Sequence, residues 1–151
     1  MSTNADADLE VRAVADETER EDALTVRHEV FVEEQGVDED LEYDEHDADA
    51  VHFVAYDGDE TIGAARLREL GDGDVGKVER VAVLESRRGE GIGRKVMAAI
   101  EECATELGLA KLKLHSQTHA AEFYDRLGYE RHGEEFEEAG IPHVEMRKSL
   151  Q

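Results

Sequence analysis

Apolar and polar residues alternate at the start of the chain, and the pattern then changes to a helical period. Residues 9–16, LEVRAVAD, alternate with a period of two and predict a first strand. In residues 17–35, apolar side chains recur every three or four positions, a spacing that predicts a helix. Residues 36–50 are acidic and irregular, and this composition predicts a solvated loop.

The middle of the chain returns to strand patterns before a second helix. Residues 51–70 contain two apolar runs around a DGD turn, which is typical of a β-hairpin. A second turn, GDGD, precedes residues 75–84, which predict a longer strand. After a glycine-rich stretch, apolar residues within 92–107 step by three or four positions. This spacing predicts an amphipathic helix that ends at the following glycine.

The last third of the chain alternates between short strands and one short helix. It predicts a strand at 111–117, a helix at 120–129, a strand at 129–136 and a final strand after the only proline. The predicted order of elements is therefore β-α-β-β-β-α-β-α-β-β.

This order predicts the fold class. Consecutive strands favour antiparallel pairing, whereas the strand–helix–strand unit at 75–115 favours one parallel crossover. We expect an α+β protein with three α/β/α layers, in which a mixed, mostly antiparallel sheet carries helices on both faces. No repeat or linker interrupts residues 8–151, which predicts a single domain after a disordered segment at residues 1–7.

Charge and composition limit the possible partners. The 151-residue chain carries 39 acids against 17 bases, a formal net charge of −22. Such a surface repels nucleic acid and anionic lipid, so neither is an expected partner. Salt screens this self-repulsion, which favours a source organism adapted to high salt. No run approaches the ~20 apolar residues of a membrane span, and the first ten residues lack a signal-peptide pattern. We therefore expect a soluble, cytoplasmic protein.

One basic stretch stands out in this acidic chain. Residues 87–95, RRGEGIGRK, place four bases and three glycines between a predicted strand and a predicted helix. A helix N-terminus offers unpaired N–H groups and the positive end of the helix dipole, both of which attract anions. Glycines allow close backbone approach, and arginine suits phosphate oxygens. The stretch predicts a phosphate site, the alternative being a tight turn whose bases face solvent.

Two common phosphate-binding motifs do not match this sequence. A Walker loop needs a hydroxyl residue after its lysine, but Val96 follows Lys95. A Rossmann site needs G-x-G-x-x-G, whereas the spacing here is G-x-G-x-G.

The histidines and the cysteine do not predict a metal site or a nucleophile. His115 and His119 lie four residues apart without the HExxH pattern, so no metal site is predicted. Cys103 lies on the apolar stripe of its helix and is predicted to be a core thiol.

Several segments resemble one enzyme family. Residues 88–93, RGEGIG, are similar to the R/Q-x-x-G-x-G/A signature of the GNAT family of N-acetyltransferases. VERVAVL at 78–84 resembles the bulged fourth strand of that family, and FYDRLGY at 123–129 resembles its tyrosine-bearing short helix. RHEVFVEEQGV at 27–37 and GIPHVEM at 140–146 resemble a bacterial and archaeal subgroup. The likeness includes the order of strands and covers nearly the whole chain.

The resemblance implies the GNAT acyl-CoA N-acyltransferase fold, with acetyl-CoA as co-substrate between the fourth and fifth strands and no metal. The pantetheine arm would pair with backbone groups of the fourth strand, whose bulge leaves an N–H for the thioester carbonyl. Gln117 occupies the position where many relatives place an asparagine against this arm. The implied cofactor-binding residues are Val81, Ala82, Val83, Arg87, Arg88, Gly89, Glu90, Gly91, Ile92, Gly93, Arg94 and Gln117.

The resemblance also implies roles in catalysis. Tyr124 matches the family tyrosine that protonates the leaving thiolate, and a phenol near pKa ~10 suits a thiol near ~8.5. Glu79 occupies the position from which many relatives take the amine proton, directly or through water. Arg27, Glu34 and His143 lie in segments that in the family surround the acceptor pocket.

The predicted activity is direct transfer of acetyl from acetyl-CoA to an amine of a small molecule or a protein. The alternative is a non-catalytic acyl-CoA sensor on the same fold. Homodimers are common in the family, which makes a second copy of the chain an expected partner. The acidic stretch at 38–49 would suit a cationic acceptor, but acids occur throughout the chain, so the acceptor stays unassigned.

Overall fold

A computed structural model of the protein describes residues 9–71 and 74–150. The segment predicted to be disordered, residues 1–7, lies outside these residues, as does part of the GDGD turn. The strands are β1 (Leu9–Ala13), β2 (Val51–Asp57), β3 (Glu60–Glu69), β4 (Val75–Val83), β5 (Lys111–Gln117), β6 (Glu130–Glu138) and β7 (Ile141–Ser149). The α-helices are α1 (Glu17–Arg27), α2 (Glu39–Glu42), α3 (Ile92–Glu106) and α4 (Ala121–Arg126). A π-helix spans His28–Glu34, and short 3₁₀-helices span Glu45–Ala48, Glu85–Arg87 and Thr118–Ala120.

The seven strands of the described chain form one sheet in the order β1-β2-β3-β4-β5-β7-β6. Only β4 and β5 pair in parallel, since α3 crosses over between them, and the other neighbours are antiparallel. This arrangement confirms the predicted mixed, mostly antiparallel sheet and its single parallel crossover.

Helices pack on both faces of the sheet. On one face, α3 and α4 bury a core that includes Phe53, Ile62, Leu112 and Met146. On the other face, α1 covers a smaller cluster that includes Ala23, Val54 and Ala64. The alternation of side chains along each strand supplies both cores from the same strands. Within the described ranges, no helix has the length and apolar character that a bilayer crossing requires.

The central strands β4 and β5 part from each other halfway along their length. They pair only between Val75–Val78 and Lys111–Leu114. Beyond this point β4 stays with β3, while β5 stays with β7 up to Gln117. The edge of β4 that faces β5 therefore lacks a strand partner over residues 79–83, and an open mouth lies between the two halves of the sheet.

The helix predicted over residues 17–35 is an α-helix only in its first part. The Asp16 side chain accepts a hydrogen bond from the Glu19 N–H at 2.8 Å and caps the N-terminus of α1. After Arg27 the chain continues as a π-helix to Glu34. π-Helical turns are rare and frequently occur at functional sites, and this one leads to the open mouth.

The prediction of a solvated loop at residues 36–50 is wrong. The segment contains α2 and a 3₁₀-helix, and it buries Glu42 and Asp47 against the sheet. Their carboxylates bind Arg27, whose Nε lies 2.8 Å from Glu42 and whose Nη1 lies 2.8 Å from Asp47. Composition alone could not show this, because the arginine partners lie on other elements, far away in the sequence.

A second arginine, Arg66 on β3, completes a buried ion-pair network. Its guanidinium contacts Asp44 at 2.6 Å, Asp47 at 2.9 Å and Glu79 at 2.7 Å. The side chain of Arg66 is fully buried. Burial alone would lower the pKa of this arginine, but its hydrogen bonds and the surrounding carboxylates raise it above the usual value. The acidic segment is thus attached to the sheet by charge rather than by apolar packing.

Candidate active site

The glycine-rich corner joins β4 to α3. Gly89 and Gly91 have φ angles of 84° and 85°, in the left-handed region that glycine adopts without strain. Gly91 is the N-cap of α3 and has no side chain to accept a hydrogen bond from the first helical turn. The N–H groups of that turn are therefore available to an anion, together with the positive end of a helix of 15 residues.

The third glycine of the corner has a different role. A Cβ atom on Gly93 would lie 3.1 Å from the Phe123 ring, so a larger residue would require this ring to move by a few tenths of an ångström. Phe123 in turn contacts the Tyr124 ring edge to face, with centroids 4.9 Å apart. The corner and the candidate acid Tyr124 are thus linked through one aromatic side chain, a contact that sequence spacing did not indicate.

Two of the four bases in the corner are engaged with carboxylates. Arg87 pairs with Asp57, Glu60 and Glu90. Arg88 binds Glu34 through both terminal nitrogens, at 2.6 and 2.7 Å, and its Nε donates to the Val83 carbonyl. The hydrogen bonds to Glu34 raise the pKa of Arg88 and lower that of Glu34.

The other two bases, Arg94 and Lys95, form no ion pair with any described residue. Any anion that uses Arg87 or Arg88 must therefore compete with carboxylates of the protein itself. The phosphate site thus stays a prediction, in which two of the four bases are already paired with carboxylates.

Strand β4 contains the bulge that the resemblance implies. Its register against β3 shifts between Ala64 and Arg66, and Arg80 adopts a left-handed φ of 58°. As a result Glu79 and Ala82, three residues apart, face the same side of the sheet, where Ala82 joins the cluster under α1.

The Arg80 side chain stabilises this unusual backbone. Its guanidinium donates to the carbonyls of Leu41 and Glu42, at 3.0 and 3.1 Å, and to the Asp44 carboxylate at 3.2 Å. A non-glycine residue in this region costs about 1–3 kcal/mol, which these contacts help to offset. The acidic segment at residues 36–50 thus stabilises the bulge of β4, the strand whose unpaired edge lines the mouth.

Tyr124 lies on α4, next to the Phe123 that packs on Gly93. It is 8% exposed and packs edge to face against Phe123 and Tyr129. No group in residues 9–71 or 74–150 hydrogen-bonds its hydroxyl. Burial raises the pKa of Tyr124 well above its usual value, because desolvation disfavours the phenolate. The phenol therefore carries its proton at neutral pH and can donate it.

Glu79 is surrounded by cations. Its Oε1 lies 2.7 Å from both Arg66 Nη2 and Arg68 Nε, and its Oε2 lies 3.2 Å from Lys77 Nζ. Burial opposes ionisation, but hydrogen bonds from Arg68 and the charges of Arg66 and Lys77 outweigh it and lower the pKa to about 2. Such a carboxylate is a weak proton acceptor, so its environment disfavours direct abstraction of a proton from an amine.

Gln117 connects the two sides of the mouth. Its Nε2 donates to Gln35 Oε1 at 2.7 Å, and its Oε1 accepts from His119 Nε2 at 2.5 Å. Gln35 follows directly after the π-helix, so this amide pair joins β5 to the helical segment across the opening. Sequence reasoning missed Gln35 because the two glutamines are 82 residues apart.

The three residues predicted to surround an acceptor lie in different environments. Arg27 is fully buried within its ion pairs, so the structure places it in the scaffold rather than at a rim. Glu34 faces the corner through Arg88. His143 lies opposite Gln117 in the β5–β7 register, donates from Nδ1 to the Ile141 carbonyl at 2.7 Å and stacks on Phe136. Within the described ranges, no cluster of three His, Cys, Asp or Glu side chains could hold a metal ion.

The strand order, the parting of β4 from β5 and the glycine corner at the start of α3 define the class of this protein, an acyl-CoA-dependent N-acyltransferase. The chain belongs to the GNAT acetyltransferase family. The family model for the acetyltransferase (GNAT) domain matches residues 13–150.

Known proteins share both sequence and structure with this chain. The uncharacterized N-acetyltransferase YjcF of Bacillus subtilis is 44% identical over 133 residues, which cover 87% of this chain and 94% of YjcF. ElaA of Escherichia coli is 33% identical over 130 residues, covering 84% of this chain and 85% of ElaA. The crystal structure of ElaA matches with a TM-score of 0.82 at 28% identity, over 93% of this chain and 99% of that one. An acyl-CoA N-acyltransferase from Pseudomonas aeruginosa matches with a TM-score of 0.79 at 27% identity, over 93% and 98% of the two chains. These matches confirm the predicted fold class.

Proposed function

We propose that the protein transfers the acetyl group of acetyl-CoA directly to an amine. The observation that carries this proposal is the unpaired edge of β4, which runs towards the glycine corner at the start of α3. The protonated phenol of Tyr124 lies on α4, next to Phe123, which packs on Gly93 of that corner. An extended pantetheine arm can pair with this edge as an added strand. The pyrophosphate of the donor suits the free N–H groups at the start of α3, and Arg94 and Lys95 add charge there.

The chemistry assigned to the chain has two proton transfers. The amine nitrogen attacks the thioester carbon, a backbone N–H at the bulge stabilises the oxygen, and the carbon–sulfur bond breaks. Tyr124 donates its hydroxyl proton to the departing sulfur and is reprotonated from solvent afterwards. The proton lost by the amine passes to water. Glu79 can orient that water, which agrees with its low pKa better than direct abstraction does.

Arg88→Glu is expected to weaken CoA binding by roughly 10- to 100-fold, because a charged hydrogen bond contributes ~1.5–3 kcal/mol. The substitution also places a second carboxylate beside Glu34 and repels phosphate. Isothermal titration with CoA at fixed ionic strength measures the effect. Arg126→Glu is the control, because its side chain is 75% exposed on α4. Equal CoA affinity of Arg88→Glu and wild type would remove Arg88 from the donor site.

Glu79→Gln is expected to leave the pH profile of kcat/KM unchanged in shape above pH 5. The carboxylate, with its pKa near 2, is already ionised throughout that range, so its titration cannot produce a limb there. The absolute rate should fall, since a neutral amide orients water less strongly among three cations. Disappearance of an ascending limb between pH 5 and 8 in the variant would instead identify Glu79 as the titrating base.

A further inference from the structure

A row of four basic side chains crosses four adjacent strands. Arg68 on β3 lies opposite Lys77 on β4, Lys77 opposite Lys113 on β5, and Lys113 opposite Arg147 on β7. Residues directly opposite each other in a sheet point to the same face, with Cβ atoms about 4.5–5.5 Å apart. We call these four residues the basic row.

The basic row lies on the face of the sheet opposite α3. Along β5, Leu112 and Leu114 are buried in the core under α3, so Lys113 between them points to the other side. On that side α1 packs over β2, β3 and β4, and the row extends beyond it onto β5 and β7. Arg147 is 41% exposed, and Lys113 is partly exposed. A ligand can therefore reach the row from solvent.

The charges of the row are only partly compensated. Arg68 and Lys77 share the carboxylate of Glu79, and Arg147 pairs with Glu145. The pKa of Glu138 is lowered by its hydrogen bond with His115 and, to a smaller extent, by the charge of Lys77. Lys113 forms no hydrogen bond or ion pair through its side chain with any residue in the described ranges, although its charge helps to lower the pKa of Glu145. Glu130 lies opposite Arg147 at the outer end.

Like charges directly opposite one another destabilise a sheet. The chain has only 17 bases against 39 acids, and four of those bases meet in this row. An anion bound to the row would offset the repulsion that the neighbouring carboxylates leave uncompensated.

The distance from the basic row to the mouth follows from the lengths of the strands. Lys77 precedes Val81 by four residues on β4, and Lys113 precedes Gln117 by four residues on β5. At a strand rise of ~3.3 Å per residue, the row lies roughly 13 Å from the level of the reacting groups. His46 contacts Arg68 at the β3 end of the row, and Glu138 binds His115, two residues beyond Lys113 on β5, at 2.9 Å.

We propose that the basic row binds an anionic group, a carboxylate or a phosphate, carried by the acceptor about 13 Å from its reactive amine. This inference rests on the proposed function, since it assigns the acceptor of the same site. Among the acids at 38–49, Glu42, Asp44 and Asp47 are engaged with arginines, whereas the basic row offers cations.

Kinetics with matched peptides test the assignment. The probes carry a free α-amine and, four residues along, phosphoserine, Glu or Gln, so that only the distant charge differs. We expect KM to be at least tenfold lower for an anionic peptide than for the Gln peptide. Whichever of the phosphoserine and Glu peptides has the lower KM shows whether the row binds a phosphate or a carboxylate. Lys113→Gln should remove this advantage while kcat and the KM for acetyl-CoA stay unchanged. Equal KM values for the three peptides in the wild type would overturn the proposal.

A binding experiment separates this proposal from the proposed function. Protein saturated with CoA, so that the glycine corner is filled, is titrated with inorganic pyrophosphate while amide NMR shifts are followed. We expect shifts centred on Lys77, Lys113 and Arg147, and roughly tenfold weaker binding in Lys113→Gln than in the control Arg126→Gln. Absence of these shifts would reject the anion site, even if acetyl transfer is found. Their presence without transfer to any amine would retain the site and reject the enzyme assignment.

Discussion

Arg66→Met is expected to lower the free energy of unfolding by about 3–5 kcal/mol, the usual cost of removing one partner from a buried ion pair. The substitution leaves Asp44, Asp47 and Glu79 without the guanidinium that all three share. Methionine fills much of the volume but supplies no hydrogen bond. Urea unfolding at constant salt measures the loss. Arg131→Met is the control, because its ion pair with Asp125 is exposed and should contribute little.

The same variant should also change the response to acid. Arg66 and its neighbours hold the pKa of Asp44, Asp47 and Glu79 below their unfolded values, and that of Glu79 falls from 4.5 to about 2. The stability that these carboxylates provide is complete above pH ~4.5 and is lost as the pH falls towards 2. The gap between wild type and Arg66→Met should therefore narrow across this window. A constant gap from pH 7 to pH 2.5 would show that the network contributes no net charge interaction.

Tyr124→Phe is expected to reduce kcat by about 10²–10⁴-fold, the range for loss of a general acid. The affinity for CoA and the free energy of unfolding should stay close to wild type, because no residue in the described ranges hydrogen-bonds the hydroxyl that is removed. Steady-state assays of thiol release give kcat, and titration with CoA gives the affinity. The alternative function, an acyl-CoA sensor, predicts no turnover in either protein and equal CoA binding.

Tyr129→Phe provides a matched control for that experiment. Tyr129 follows the end of α4, with its ring centroid 5.8 Å from that of Tyr124, and its hydroxyl donates to Glu101. The same chemical change there should leave kcat close to wild type, although the lost hydrogen bond costs some stability. Equal losses of kcat in the two variants would mean that ring packing, and not the Tyr124 proton, supports turnover.

Local patterns predicted most of the architecture. Runs of alternating apolar and polar residues predicted the strands, and the single strand–helix–strand unit predicted the one parallel pair among the described strands. Both patterns can be seen within neighbouring residues. The glycine corner was likewise recognisable, since its glycines and bases are contiguous. The bulge was implied by resemblance, and Arg80 shows its physical basis in a left-handed backbone secured by the segment 41–44.

The sequence did not allow us to predict contacts between residues that lie far apart in the chain. In a chain saturated with acids, nothing marks Glu42 or Asp47 as different from their solvated neighbours until the buried arginines are seen. The contacts between Arg88 and Glu34 and between Gln117 and Gln35 connect segments more than fifty residues apart. The basic row depends on strand register, which periodicity does not determine across a crossover.

The Arg88–Glu34 pair has a consequence for how the protein responds to its ionic surroundings. A phosphate that binds Arg88 replaces a carboxylate already there, so binding exchanges one ion pair for another instead of creating a new one. Added salt weakens both the Arg88–Glu34 pair and the Arg88–phosphate pair. The first effect favours binding of the donor and the second opposes it, so the two partly cancel. Donor affinity at this arginine should therefore depend on ionic strength less steeply than the number of charges in the corner suggests. In a molecule with a net charge of −22, this exchange makes recognition of an anion at Arg88 less sensitive to the salt that screens the rest of its surface.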